Sequence, residues 1–336
     1  MRHHIDYMHF NKELIIEDKI KIVGHDEPDE YFLHIAFGID KNFIFGAAIS
    51  ATSILINNSI PLSFHFFTDY IDDDIIDRFK SMVKKFRTNI CIYKVNTEIL
   101  NELPQERWPC SAYFRIVAFD YLADTIDRLF YLDADVMCKG DLSSLKQIDF
   151  NNAICAIVPD IHSTQEQAAT RLKKPELIEC YFNSGVMYMQ LKRWNEYQLT
   201  KKTLSFIQDN LTLRYPDQDA LNILLYNKTI ILPRKFNCIY SIKSELKDKH
   251  HQDYRKIITD ETILIHYVGT TKPWSAWGQY PSTTFFQTAY QESTWRDIPL
   301  VMPVTSLQWK KKSKHEMRQG KYIKGIFSRL IYFLRK

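Results

Sequence analysis

Glycine is scarce, at nine residues in 336, and no fixed-period repeat runs through the chain. Collagen-like and repeat-built architectures are thereby excluded. Six cysteines (Cys91, Cys110, Cys138, Cys155, Cys180 and Cys238) are widely spaced with no CxxC pair, which favours a reduced compartment over a disulfide scaffold. Long apolar runs are missing as well. The best of them, Phe43–Ile56, has 14 residues and is interrupted by Ser50, Thr52 and Ser53, too short to cross a bilayer. Met1–Phe10 lacks the continuous apolar segment of a signal peptide.

What is present points to a folded globular protein. With 21 Phe, 19 Tyr, 6 Trp and 45% hydrophobic residues, disorder throughout is excluded. A chain of this length buries about three quarters of its extended surface without a metal or disulfide staple. Net charge is only +4, but it is unevenly placed: Lys310–Lys336 carries ten basic residues and one acidic residue, Glu316. A mildly acidic body with a basic tail suits docking on an anionic surface.

Hydrophobic patterning predicts alternating strands and helices. Strands are expected at Tyr31–Phe37, Leu62–Phe67, Ile90–Val95, Arg128–Leu132 and Ala153–Val158, with helices at Phe43–Asn57, Asp72–Phe86 and Ser111–Leu122. Further sheet elements are expected at Tyr181–Leu191, Lys228–Leu232 and Thr262–Val268, a helix at Gln218–Tyr226, and an exposed polar stretch at Lys243–Arg255. This order indicates an α/β fold with a mainly parallel central sheet, followed by a small helical C-terminal region. Ligand sites in such sheets lie at the carboxyl ends of the strands. Asp40, Asp133 and Asp160 each follow a strand there. Any one of them reads equally well as a loop aspartate capping a helix; three together favour a shared pocket.

Leu132-Asp133-Ala134-Asp135 is the most informative segment. Continued extended backbone would put both carboxylates on one side, where they repel unless a cation lies between them. Mg²⁺ or Mn²⁺ suits such an oxygen-rich setting. His266 follows another strand and reads either as a core histidine bonded to a carbonyl or as the third ligand of a two-carboxylate, one-imidazole site. Cysteine is absent from this set, which argues against structural zinc. Beyond it, Gly269 allows a close turn and Lys272 offers a compact charge to a phosphate. Trp274 and Trp277 are candidates to close this loop over a pocket; two aromatics pinning a surface loop to the core is the plainer reading, and the two are compatible.

These pieces resemble a known family. Ala36–Phe43, Tyr131–Asp135, Asn183-Ser184-Gly185-Val186, Asp217-Gln218-Asp219 and the run from His266 to Trp274 are similar, in order and spacing, to family 8 glycosyltransferases of the bacterial lipopolysaccharide core glucosyl- and galactosyltransferase branch. The resemblance implies a GT-A nucleotide-sugar-binding fold over residues 31–277, preceded by an N-terminal extension at 1–30 and followed by a C-terminal region at 278–336. It implies hexose transfer from UDP-glucose or UDP-galactose with retention of configuration, to a lipid-anchored lipopolysaccharide core acceptor through an alpha-1,3 or alpha-1,2 linkage. Asp133, Asp135 and His266 would hold Mn²⁺ or Mg²⁺. Asp40 and Asn42 would meet the uridine part of the donor, and Gly269 and Lys272 the diphosphate. Arg115, Asp160, Asn183, Asp217 and Gln218 match positions around the donor sugar or reaction centre.

The tail has its own pattern. Ile323, Ile326, Phe327, Leu330, Ile331, Phe333 and Leu334 recur at spacings near three and four among Lys321, Lys324, Arg329, Arg335 and Lys336. Such a helix either lies on an anionic membrane surface or packs its apolar stripe on the body. With the acceptor class, surface binding implies a bacterial cytoplasmic protein peripheral to the inner membrane. A metal-dependent nucleotide-sugar phosphohydrolase and a non-enzymatic sugar-nucleotide-binding or nucleic-acid-binding protein are the alternatives. Nucleic acid is disfavoured by the acidic body and by aromatics that do not interleave with basic residues.

Overall fold

The computed structural model describes residues 12–336; the reading of Met1–Phe10 lies outside the described residues. In chain order, helix α1 (Lys12–Ile15) leads into β1 (Ile16–Ile22), β2 (Leu33–Ile39), α2 (Ile44–Asn57), β3 (Leu62–Thr68), α3 (Asp73–Phe86) and β4 (Asn89–Val95). Next come α4 (Phe114–Leu122), β5 (Arg128–Leu132), β6 (Val136–Cys138), β7 (Cys155–Pro159), α5 (His162–Leu172) and β8 (Phe182–Gln190). Helices α6 (Leu191–Glu196), α7 (Leu199–Asp209) and α8 (Pro216–Leu224) precede β9 (Thr229–Ile231), β10 (Cys238–Tyr240) and β11 (Leu264–Tyr267). Three helices finish the chain: α9 (Thr284–Glu292), α10 (Ser306–Arg318) and α11 (Tyr322–Leu334).

Eight strands form one sheet in the order β1-β4-β3-β2-β5-β8-β7-β9, and β10-β11-β6 form a second. In the large sheet β4/β3, β3/β2, β2/β5 and β7/β9 run parallel, while β1/β4, β5/β8 and β7/β8 run antiparallel. Parallel pairing therefore predominates. Every residue of β3 is buried, as a strand covered on both faces requires. One covering layer holds α2, α3 and α9; the other holds α4, α6, α7 and α8.

Local chemistry sets the element ends. Asp72 caps α3 by accepting from the Ile75 N–H, Asp73 and Asp74 occupy its first turn, and Lys84 and Lys85 its last. Both ends thus complement the helix dipole. Ile75, Phe79, Met82 and Val83 form its buried face, at the spacing of one helical side.

Some boundaries differ from the sequence expectation. The strand expected from Tyr31 begins at Leu33, because Tyr31 closes a 3-10 turn. Gly38 lies inside β2, where a Cβ would come within 2.9 Å of both Phe114 Cβ and Tyr131 Oη. The helix expected from Ser111 opens as a 3-10 turn over Cys110–Tyr113. Within the polar lead-in, Ile16–Ile22 forms an edge strand whose residues are partly or fully exposed. An edge strand does not need a buried apolar run, so its sequence signal is weak. The stretch Lys243–Arg255 is not wholly exposed. Glu245 is fully buried and accepts from Tyr240 Oη at 2.6 Å and Ser282 Oγ at 2.5 Å, with His251 Nδ1 at 2.7 Å.

Candidate active site

β5 ends at Leu132, and the chain then turns instead of continuing as a strand. The Asp133 N–H donates to the Gly185 carbonyl at 2.8 Å, and the Val136 N–H to the Asp133 carbonyl at 3.1 Å. This corrects the expected extended geometry, yet the two carboxylates still converge. β6 carries the chain into the second sheet, where Val136 pairs with His266 of β11. His266 Nε2 thereby lies 3.1 Å from Asp135 Oδ1 and 3.9 Å from Asp133 Oδ2. One ligand atom from each residue lies within 4.8 Å of the others. Two carboxylate oxygens and an imidazole nitrogen suit a divalent cation.

The surroundings fit that reading. At Gly185 a Cβ would lie 2.4 Å from Asp133 Oδ2 and 2.5 Å from His266 Cε1, so the cluster requires a residue with no side chain there. Asn237, fully buried, sets its Oδ1 3.2 Å from His266 Nδ1. An amide oxygen can only accept, so Nδ1–H donates and Nε2 is left facing the carboxylates. An outer partner of this kind fixes ring orientation at metal sites.

Charge is concentrated around the cluster. Lys272 sets its ammonium on Asp135 Oδ2 and lies 3.4 Å from the Tyr267 carbonyl. Burial works to raise the Asp135 carboxyl, but Lys272 and His266 overcome it and hold the group below the usual carboxylate range. Burial likewise works to lower the His266 imidazole; Asp135 and then Asp133 outweigh it and hold it above its ordinary value. Arg115, buried, bridges two carboxylates: Nη2 is 3.0 Å from Asp133 Oδ1 and Nε is 3.1 Å from Asp217 Oδ2. Its Nη1 donates to the Ser184 carbonyl at 2.5 Å. The resemblance puts Arg115 around the donor sugar or reaction centre; in the structure its contacts with Asp133, Asp217 and Ser184 hold the acidic floor together.

β8 runs antiparallel to β5, so its first residues meet the end of β5. Asn183 Oδ1 accepts from the Gly185 N–H at 3.1 Å and from Asn237 Nδ2 at 3.3 Å. Gln218, early in α8, accepts from the Ser184 N–H at 3.0 Å and donates to Tyr181 Oη at 3.0 Å. Burial raises the Asp217 carboxyl against the pull of Arg115. Asp160, at the end of β7, is raised by burial while His266 and Arg234 oppose the shift; its side chain accepts from the Ile161 N–H at 2.7 Å.

Asp133, Asp135, His266, Lys272, Arg115, Asp217, Asn183 and Gln218 form one connected network, and Asp160 lies within its field. Asp40 and Asn42 stand apart. Asp40 follows β2 and accepts from the Asn42 N–H at 2.8 Å; among the described residues, no hydrogen bond or ion pair joins either to the cluster. Gly269 turns with φ +97°, a conformation glycine adopts freely. Trp274 and Trp277 are 4% and 2% exposed and pin the loop to the core, a packing role that is compatible with loop closure over the site. Trp274 meets Phe43 edge-on at 5.7 Å and fills the space that a Cβ on Gly46 would occupy. Sequence reasoning missed Asn237 altogether, and no motif or spacing marks it. Gly185 was visible only as part of a longer match.

A family model described as "Glycosyl transferase family 8" matches residues 34–278, and one described as "Glycosyl transferase family 8 C-terminal" matches residues 280–336. A lipopolysaccharide 1,2-glucosyltransferase of Escherichia coli (strain K12) is 44% identical over 308 residues, covering 90% of this chain and 91% of the relative. A lipopolysaccharide 1,3-galactosyltransferase of Salmonella typhimurium is 37% identical over 319 residues, covering 93% of each. Among solved structures, galactosyltransferase LgtC in complex with donor and acceptor sugar analogs aligns with TM-score 0.66 and 22% identity, over 79% of this chain and 99% of that one. That last likeness is one of fold, and it agrees with the GT-A-like α/β arrangement expected from the sequence.

Proposed function

Since the chain belongs to glycosyl transferase family 8, we propose that it moves a hexose from UDP-glucose or UDP-galactose to a lipopolysaccharide core acceptor, with retention at the anomeric carbon. Residues 31–277 are the catalytic domain in this reading, and 278–336 the C-terminal region. The names of the two relatives support the acceptor class and a 1,2 or 1,3 linkage. The observation that carries the reading is the convergence of Asp133, Asp135 and His266 from segments more than 100 residues apart, beside the ammonium of Lys272.

Breaking the anomeric carbon–oxygen bond places negative charge on UDP and oxocarbenium character on the sugar. Asp133, Asp135 and His266 would hold Mn²⁺ or Mg²⁺, which when bound supplies Lewis-acid stabilisation to the diphosphate oxygens. Lys272 meets the same diphosphate, and the turn at Gly269 brings backbone close to it. Asp40 and Asn42, at the end of β2, take the uridine. Asn183, Asp160, Asp217 and Gln218 surround the donor sugar. Gln218 is a poor nucleophile: its amide oxygen already accepts from the Ser184 N–H. Asp217 is engaged by Arg115. Both facts favour a front-face route, in which the acceptor hydroxyl attacks from the side UDP leaves and gives its proton to the departing diphosphate.

Among the described residues, no helix is long and apolar enough to cross a membrane. The face of α11 bearing Ile323, Ile326, Phe327, Leu330, Phe333 and Leu334 is more than half exposed at each position. With the basic residues around it, that face suits an anionic lipid surface, and we place the protein on the cytoplasmic face of the inner membrane. The test is transfer from UDP-glucose and UDP-galactose to truncated lipopolysaccharide acceptors, with the product linkage read by NMR. A retained-configuration hexosyl product supports the reading. Rapid acceptor-independent cleavage of the donor, with no glycosylated product, identifies a phosphohydrolase instead.

A further inference from the structure

Helix α10 touches the Lys272 loop on one side and α11 on the other. Toward α11 the seam is polar and close. Ser313 Oγ donates to the Gly325 carbonyl at 2.8 Å, Lys312 Nζ to Ser328 Oγ at 3.1 Å, and Ser328 Oγ to Glu316 Oε2 at 2.6 Å. Gly325 permits this approach, since a Cβ there would lie 2.9 Å from Met317 Cγ.

Toward the site, α10 makes a row of contacts along a single segment. Lys311 Nζ donates to Thr270 Oγ1 at 2.8 Å, and His315 Nε2 lies 3.4 Å from Thr271 Oγ1. His315 Nδ1 lies 2.8 Å from Tyr280 Oη. Gln319 Nε2 donates to the carbonyls of Trp277 at 3.0 Å and Gln279 at 3.2 Å. Thr270 and Thr271 immediately precede Lys272, and Trp277 ends the same loop. The helix that carries the exposed apolar and basic face is therefore one helix removed from the residue assigned to the diphosphate.

We infer that Thr270 and Gln319 are positioning residues, through which α10 sets the Lys272 loop, and that seating α11 on an anionic lipid surface tightens UDP binding. The inference rests on the proposed reading of Lys272 and of the α11 face. Its physical basis is conformational entropy. In the proposed reading Lys272 leaves Asp135 to meet a diphosphate, and its side chain and the backbone beside it must be held in the new position. Ordering is less costly when the supporting helix is already fixed. A lipid surface that holds α11 fixes α10, and linkage requires UDP to tighten lipid binding by the same factor. Coupling between sites commonly amounts to at least about fivefold.

The experiment titrates UDP, in Mn²⁺ buffer, into the full chain free and bound to vesicles of phosphatidylglycerol and phosphatidylethanolamine. The wild-type dissociation constant is expected to fall about fivefold on vesicles. Thr270→Val and Gln319→Leu remove bonds between α10 and the loop without removing a cation. Both are expected to float with vesicles as the wild type does, to keep its thermal midpoint within a few degrees, and to lose the vesicle response. Thr270→Ser, which keeps the hydroxyl, is expected to retain it. Equal wild-type affinity with and without vesicles, or a full response in both disrupted variants, overturns the inference. A wild-type chain that binds no UDP overturns the donor reading, and one that fails to float overturns the lipid reading. Each takes the inference down with it, and each is read separately from the coupling.

Discussion

Lys272 rests its ammonium on the carboxylate of Asp135, a residue 137 positions earlier in the chain. The pair joins the loop after β11 to the turn after β5, and it neutralises one of the three groups that converge as cation ligands. Lys272 and a divalent ion therefore draw on the same carboxylate, and in the proposed reading a donor diphosphate gives the lysine another partner.

Lys272→Met is expected to lower stability by about 3 kcal/mol, because it leaves a buried carboxylate without its lysine. Added Mn²⁺ should recover more stability in this variant than in the wild type, since a ligand of the folded state stabilises by mass action and its competitor is gone. Thermal unfolding with and without Mn²⁺ checks this; equal shifts in both proteins would show that Lys272 and the ion do not share Asp135. Turnover should fall about 100-fold, the scale of losing one group aimed at developing charge.

Asn237→Leu removes the acceptor for His266 Nδ1. The ring is then free to rotate, and Mn²⁺ affinity is expected to fall about 10- to 100-fold, as when outer partners of metal ligands are lost. Titration calorimetry reads the change, with circular dichroism as the folding control.

Gly185→Ala places a methyl where Asp133 Oδ2 and His266 Cε1 lie. Overpacking of this kind costs about 1–3 kcal/mol, within reach of a folded protein. The ligands must spread, so Mn²⁺ binding should weaken by a larger factor than UDP binding in the absence of metal. Equal loss of both would indicate a general collapse of the site.

His315 is buried between α10 and the loop that ends at Tyr280. Burial lowers its imidazole to about 4 from 6.5, helped by Lys311 and Lys314 on its own helix; Tyr280 and Thr271 face it from the loop. The folded state then binds fewer protons than the unfolded chain between those values. Its contribution is fully present above pH 6.5 and lost as pH falls toward 4, about 3 kcal/mol in all. Hydrogen exchange is expected to show α10 and residues 269–280 opening together through that window. In His315→Gln the acid loss of stability should be shallower by that amount.

Much of this is legible in the sequence. Strongly apolar strands such as β3 and β5 announce themselves because both faces are buried, and α3 does so through its cap and one-sided pattern. The Asp133–Asp135 pair was legible from chemistry: two carboxylates at a strand end call for a cation. The joining of that pair to His266 was harder to read, because it depends on the register of β6 against β11, a contact between short strands distant in sequence. β1 escaped because an edge strand can be polar. Buried Glu245 escaped because its partners Tyr240, His251 and Ser282 come together only in the folded chain. Asn237 acts entirely through another residue, and nothing local distinguishes it from a loop asparagine.

The central claim is that Asp133, Asp135 and His266 bind a divalent ion needed for UDP to depart. The most direct measurement is hexose transfer by enzyme stripped with chelator, then titrated with Mn²⁺ or Mg²⁺, alongside Asp135→Asn. Transfer should vanish on stripping and return with metal in the wild type, while Asp135→Asn remains inactive at the same concentrations. Undiminished transfer by a rigorously metal-free preparation would contradict the account.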